Sequence, residues 1–320
     1  MPALPSATSV RAMRYAVMVP TETGRAADPE WIGRYARHAE ACGFESIVAV
    51  EHAVVVTSYT SEYPYARSGR MELADDCPIP DPLTLLTHLS GCTTTLGLAT
   101  GVLILPNHHP VPLAKQLATL DRLSGGRLRV CAGVGWMREE IEACGADFST
   151  RGRRTDETID ALRSLWAETG PEGASFDGEF FRFSGAMSHP KPTRPSGVPL
   201  HIGGHSKAAA RRAGRRGDGF QPLGLHGEEL QAALAEMRRA AEEASRDPAT
   251  VELTLGHAVT KIDPERSARL EAAGASRIVL AGSGSPDLQQ QCDELSACAE
   301  RLGLLRAPAD SGAGAPAPAR

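Results

Sequence analysis

The chain has 320 residues, 42% of them hydrophobic, and a formal net charge of -5 at pH 7. That balance offers no basic stripe for nucleic acid, and no run reaches the ~18 apolar residues that a bilayer span needs. Seven cysteines without a CxxC pair read as reduced thiols, and the lack of a secretory signal in residues 1–13 points to the cytoplasm.

In chain order, residues 1–13 read as a disordered extension, and Met13 is a candidate translation start. Tyr15–Val19 is the first expected strand. Pro29–Cys42 follows as a helix, with Asp28 as N-cap, Pro29 at the first helical position and Gly43 as the stop. Ser46–Val50 is strand two. Ala53 to Pro80 shows no periodicity, and a loop of that length in a compact domain suggests a lid. Leu83–Cys92 is a helix. Leu96–Leu105 has the length and composition of a buried strand, broken by Pro106 and Pro110. Leu113, Leu117, Leu120 and Leu123 then share a helical face, and Ser124-Gly125-Gly126 ends that helix.

Leu128–Ala132 is strand four. Arg138–Cys144 and Asp156–Ala167 are helices, and residues 170–198 read as an insertion rich in Gly, Pro and Phe. Strands at Leu200–Gly203, Gly219–Gln221, Val251–His257 and Arg277–Ala281 alternate with helices at Ser206–Arg212, Glu228–Glu243, Pro264–Ala272 and Asp287–Leu302. Arg211, Arg212, Arg215 and Arg216 read as a solvated helix end. Arg151, Arg153 and Arg154 read as ion-paired with Asp156 and Glu157. Residues 306–320, rich in Ala, Pro and Gly, read as a disordered tail.

Eight strands alternating with helices argue an α/β fold, a (β/α)8 TIM barrel over residues 14–305 with insertion segments. Its chemistry belongs at the C-terminal ends of the strands. His52 directly follows strand two and can carry a proton near neutral pH, with Glu51 beside it. Asn107-His108-His109-Pro110 resembles a metal cluster, but adjacent histidines diverge and no H-x-H or HExxH accompanies them, so no metal site is expected. Gly203-Gly204 lets a backbone approach a ligand, and Ser206 opens a helix whose N–H groups suit an anion. Tyr63 and Tyr65 in the long loop, with His109, are candidate lid or substrate residues. Trp136 either lines the pocket or packs in the core.

The block TGVLILPNHHPVPLAKQLATLDRLSGGRLRVCAGVGW, together with Val50-Glu51-His52, the run RGRRTDETIDALRSLW and HIGGHS, resembles the bacterial luciferase-like flavin and deazaflavin oxidoreductases. The resemblance runs from about Arg14 to Leu304. It implies that His52 is catalytic, close to the reactive face of a cofactor ring. It also implies that Glu51 hydrogen-bonds the ring's pyrimidine edge or orients neighbours, and that a cis peptide at Gly101-Val102 supports the ring from behind. Gly133, Val134, Gly135 and Trp136 after strand four, with Gly203, Gly204, His205 and Ser206 after strand five, would complete the cofactor site. Luciferase carries an arginine for the cofactor phosphate in the loop after strand four. Here that loop has no basic side chain, which moves the phosphate to the backbone of Gly204, His205 and Ser206.

TGVLILP, GVGWMREE and IGGHS resemble most the branch that uses coenzyme F420. The first expectation is therefore hydride transfer between reduced F420 and a C=C, C=N or C=O bond of a small-molecule substrate. The alternative is a two-component monooxygenase using reduced FMN and oxygen. Because no GxGxxG nicotinamide-binding half is present, a separate flavin or F420 reductase is the expected partner. A non-catalytic flavin-binding protein and a metal-dependent hydrolase on the same barrel are the other readings. The resemblance also suggests a homodimer.

Overall fold

The computed structural model describes residues 12–304. The expected tail at 306–320 lies outside them, as does the expected N-terminal extension apart from residues 12 and 13. Eleven strands and nine α-helices follow in order within the described residues: β1 (Arg14–Met18), α1 (Pro29–Ala41), β2 (Ser46–Ala49), α2 (Pro82–Cys92), β3 (Gly97–Thr100), β4 (Leu103–Ile104), α3 (Pro110–Leu123), β5 (Leu128–Gly133), α4 (Arg138–Ala143), α5 (Arg151–Ala167), β6 (Ala174–Asp177), β7 (Arg182–Ala186), β8 (Leu200–Gly203), α6 (Lys207–Arg216), β9 (Gly219–Gln221), α7 (Gly227–Glu243), β10 (Glu252–Ala258), α8 (Pro264–Ala272), β11 (Ala275–Ala281) and α9 (Leu288–Leu302).

The strands form a closed, parallel eight-strand barrel, the expected TIM barrel. β1 pairs with β2 on one side and β11 on the other, with Ala16 opposite both Ser46 and Val279. The ring closes where β3 meets β5, with Leu98 opposite Leu128 and Ala99 opposite Arg129. β4 continues the third strand beyond Gly101-Val102 and pairs with β5. Small residues fill the barrel interior, where Ala16, Val48, Ala99 and Val279 form one cluster. The larger core lies between strands and helices, where side chains such as Leu98, Leu113, Leu117 and Phe220 pack together. No helix among the described residues is long and apolar enough to cross a membrane.

Local signals explain most boundaries. Asp28 caps α1 by accepting from the amides of Glu30 and Trp31, and Pro29 occupies the first turn. Asp81 and Asp263 cap α2 and α8 in the same way ahead of a proline. On α3, Leu113, Leu117 and Leu120 are buried as expected, but Leu123 is 65% exposed. The buried face is centred toward Ala114, Ala118 and Asp121, and at 3.6 residues per turn Leu123 points away from it.

Other expectations need correction. α5 begins at Arg151 rather than Asp156, so the arginine run is its first turn. Within the run, the arginines find partners elsewhere: Arg153 pairs with Glu179, Arg151 stacks on Phe148, and Arg154 stacks on Phe181. Within the insertion, β6 and β7 form an antiparallel hairpin that the sequence reading did not foresee. Glu157 caps its turn by accepting from the amides of Glu179, Phe180 and Phe181. α6 runs on to Arg216, and its basic face is not simply solvated. Arg212 is buried against Asp156 at 2.6 Å, and Arg216 grips Asp160 at 2.9 Å.

Candidate active site at the C-terminal mouth of the barrel

His52 leaves the end of β2 with its Nδ1 2.9 Å from Glu140 Oε2. Glu140 belongs to the first turn of α4 and is 1% exposed. Its other oxygen accepts from the Ala53 amide at 2.6 Å and from Asn107 Nδ2 at 3.4 Å. A carboxylate accepts only, so Nδ1 donates and a neutral His52 carries its lone pair on Nε2. Among the described residues Nε2 has no hydrogen-bond partner. Nearby, the buried Asn107 Oδ1 also lacks one.

A second histidine–carboxylate pair stands beside the first. Glu51, 6% exposed, accepts from the backbone amide of Ile104 and from His108 Nε2 at 2.6 Å. Burial acts to depress the His108 pKa, but the hydrogen bond and the charge of Glu51 outweigh it, and the net direction is upward. Glu51 therefore orients its neighbours. The two adjacent histidines diverge: His109 caps α3 by accepting from the Val111 amide and packs edge-on against Phe181 at 5.1 Å. His109 is thus placed with α3 and the hairpin, not with the tyrosines of the long loop. Pro110 begins the helix, and that makes residue 109 its cap. Among the described residues no group of three or more potential metal ligands gathers.

The Gly101-Val102 peptide bond is cis. The Val102 side chain reaches toward β5 and β8, and the glycines there make room for it. A Cβ at Gly133 would come within 2.5 Å of Val102 Cγ2, and a Cβ at Gly203 would overlap Val102 Cγ1. Both glycines are buried, so they hold Val102 in place rather than present a backbone to open space. Gly135 has a positive φ of 76° and is crowded by Ile104 and Ile141, a position suited to glycine. Val134 and Trp136, half-buried, flank it.

The loop over 53–80 carries an aromatic row across this mouth. Trp136 meets His52, Tyr59 and Tyr63 edge-on at 5.9, 5.3 and 5.0 Å. Tyr63 meets Tyr65 at 5.4 Å, and Tyr65 meets His205 at 5.5 Å. Trp136 is therefore part of the mouth and not of the core. Glu139 holds the loop down, accepting from the Thr60 amide at 2.6 Å and from Ser61 Oγ at 2.7 Å. These hydrogen bonds, led by the Thr60 amide, pull its carboxyl down to about 2.

At the expected phosphate loop, the Gly204 amide donates to Gln221 O at 3.1 Å, so it is not available to an anion. Ser206 caps α6, its Oγ accepting from the Ala209 amide at 3.2 Å. The amides of His205 and Ser206 have no acceptor among the described residues. They remain as free donors at a helix start.

The structure thus gathers His52, Glu51, Val102, Trp136, Tyr63, Tyr65 and His205 at one mouth, puts Gly133 and Gly203 beneath Val102, and sets His109 aside. Sequence reading missed Glu140, Asn107, Tyr59 and the role of His108. A signal was present: Glu139-Glu140 stand in the first turn of a helix that starts at a strand's C-terminal end. Acidic residues there are ordinarily read as complementing the helix dipole.

A closed parallel barrel with polar and aromatic groups converging at the strands' C-terminal ends defines a (β/α)8 protein with its site on the usual face. The chain belongs to the luciferase-like monooxygenase family, whose pattern matches residues 13–310. An uncharacterised protein of Mycobacterium tuberculosis is 35% identical over 211 residues, covering 66% of this chain and 71% of the relative. The FMNH(2)-dependent dimethylsulfone monooxygenase of Pseudomonas putida is 31% identical over 192 residues, covering 59% and 51%. A solved F420-dependent secondary alcohol dehydrogenase, in complex with an F420-acetone adduct, shares the fold with a TM-score of 0.72 at 18% identity, covering 92% of this chain and 99% of its own.

Proposed function

We propose that the protein is an oxidoreductase that binds coenzyme F420 at this mouth and exchanges a hydride with a C=C, C=N or C=O bond of a small organic substrate. The observation that carries the reading is the His52–Glu140 pair, held at 2.9 Å at the mouth under the Trp136 ring. The residues present fit such a ring: among the described residues the buried Asn107 Oδ1 lacks a partner, His52 uses Nδ1 and not Nε2 for Glu140, and the aromatic row from Trp136 to Tyr65 lies over the same mouth. Val102, Trp136, Tyr63 and Tyr65 would hold the ring, and the amides of His205 and Ser206 its phosphate end. When bound, the ring supplies the hydride chemistry.

The chain's own part is protonic and steric. Glu140 keeps the proton on His52 Nδ1, which leaves Nε2 to accept or, once protonated, to return a proton. Glu51 fixes His108 and the Ile104 amide. The loop clamped by Glu139 excludes water from the mouth. A separate reductase of the cofactor, assembly as a homodimer and a cytoplasmic location belong to the same proposal. Light scattering on the purified protein tests the dimer.

A second reading is supported by the dimethylsulfone relative: a monooxygenase using reduced FMN and oxygen. Absorbance and fluorescence titration with F420 and, separately, with FMN decides between them. Tight binding of F420 alone supports the first, tight binding of reduced FMN alone supports the second, and binding of neither overturns both.

A further inference from the structure

A cavity of about 580 Å3 lies at the opposite end of the barrel, where the strands begin. Five arginines line it (Arg14, Arg127, Arg129, Arg194 and Arg277), against three carboxylates, Glu45, Asp218 and Glu252. Each carboxylate already has a cation. Glu45 takes Arg277 at 2.9 Å, Glu252 takes Arg14 at 3.0 Å and Arg277 at 3.2 Å, and Asp218 faces Arg163 at 3.6 Å from outside the cavity. Among the described residues the other three guanidiniums form no ion pair. Arg127 spends its donors on neutral oxygens, among them those of Leu96, Ser90 and Ser124. Arg194 is exposed at the rim, with no ion-pair partner among the described residues.

Arg129 is the informative one. It is 8% exposed, and its sole hydrogen bond among the described residues goes to Ser46 Oγ at 3.1 Å. The carboxylates of Glu45 and Glu252 act on it only from a distance, and a buried cation with no ion pair of its own is costly. Burial first, and then the neighbouring Arg277 charge, pull this guanidinium down to about 10. His201, also on the wall, adds no further positive charge, since burial and the surrounding arginines hold its pKa well below the ordinary value.

We propose that this cavity is a binding site for a small multivalent oxyanion, a phosphate or a compact polycarboxylate, held by Arg129 from the barrel floor and Arg194 from the rim. A guanidinium fork matches such oxygens bidentately. The site is independent of the cofactor reading and lies on the face of the barrel that ordinarily serves stability. Its effect is therefore linkage: an anion bound to the folded chain raises Tm in a saturable way.

The test titrates sodium phosphate and, separately, sodium citrate into the full chain. Ionic strength is held constant with sodium chloride, Tm is followed, and calorimetry gives Kd. The expected result is a saturable rise with at least one of the two anions, whose identity names the class. Arg194→Ala, a surface change, weakens that Kd about tenfold or more, as loss of a charged hydrogen-bond partner should. Arg129→Gln abolishes binding if it folds. Lys207→Ala, at the start of α6, leaves the Kd unchanged. The proposal is overturned if neither anion exceeds chloride, or if Lys207→Ala weakens binding while Arg194→Ala does not, since the anion then sits at the opposite mouth.

Discussion

Glu140 does for His52 what a donor-accepting carboxylate does for any catalytic imidazole: it selects the tautomer and fixes the ring. His52→Ala is expected to lower turnover by about a hundredfold or more while cofactor binding persists, read by steady-state kinetics beside a cofactor titration. Glu140→Gln keeps the size but can donate to the wrong nitrogen. It should lower kcat more than it alters KM and shift the pH profile of kcat. An unchanged profile would show that Glu140 is only a support for Ala53 and Asn107. The other pair sets a pH dependence of stability. His108 has a raised pKa in the fold, its burial outweighed by Glu51. Its stabilisation is therefore fully present below the ordinary value of 6.5, and is lost as pH rises through the raised one. The stability difference between wild type and His108→Asn, measured by urea unfolding, should be larger at pH 6 than at pH 9, values that bracket the usual histidine range.

Two contacts between elements carry the mouth. The first is the packing of Val102 against β5 and β8, for which Gly133 and Gly203 leave space. Gly203→Ala should cost about 1–3 kcal/mol by overpacking. Most of that cost should vanish in the Val102→Ala background, because the colliding methyl is gone. A cost that persists there would place the strain elsewhere. The second is the hold of α4 on the long loop through Glu139, whose carboxyl is down at about 2. Glu139→Ala should speed hydrogen exchange at Thr60 and Ser61 and raise the substrate KM, with the barrel's own exchange unchanged. Loop exchange equal to wild type would mean that the Trp136–Tyr59–Tyr63 row holds the loop without it.

At the scale of the whole barrel, Arg277 ties β11 to Glu45 before β2 and to Glu252 on β10. One buried guanidinium thereby links β11 to its neighbour β10 and, across β1, to the start of β2. Burial acts to raise the Glu45 carboxyl, but Arg277, Arg129 and Ser46 together hold it at about 2. A depressed carboxylate stabilises above its ordinary pKa and loses that contribution as pH falls through the folded one. The stability gap between wild type and Glu45→Gln should therefore be constant near neutrality and close between pH 4.5 and about 2. Urea unfolding at a series of acidic pH values measures it. A gap that persists at the acid end would mean that Glu45 acts through packing and not through charge.

The alternation of apolar runs with amphipathic segments was enough to read the barrel, its eight strands and the strand ends where His52, Gly101 and Trp136 stand. Periodicity is a local property, and a closed ring of βα units is its global consequence. Glycine, proline and aspartate at helix ends placed most boundaries, because capping too is local. The partners were not legible. Glu140 stands 88 residues from His52 and His108 stands 57 from Glu51, and no spacing rule spans such distances. The hairpin at β6 and β7 was overlooked although Asp177-Gly178 is a turn signal, because that signal lies in a stretch otherwise rich in Gly, Pro and Phe and its turn is held by Glu157 of another element. Arg129 and Arg277 read as ordinary strand residues in the sequence. Only closure of the barrel points them inward together, where low dielectric turns their charges into a site.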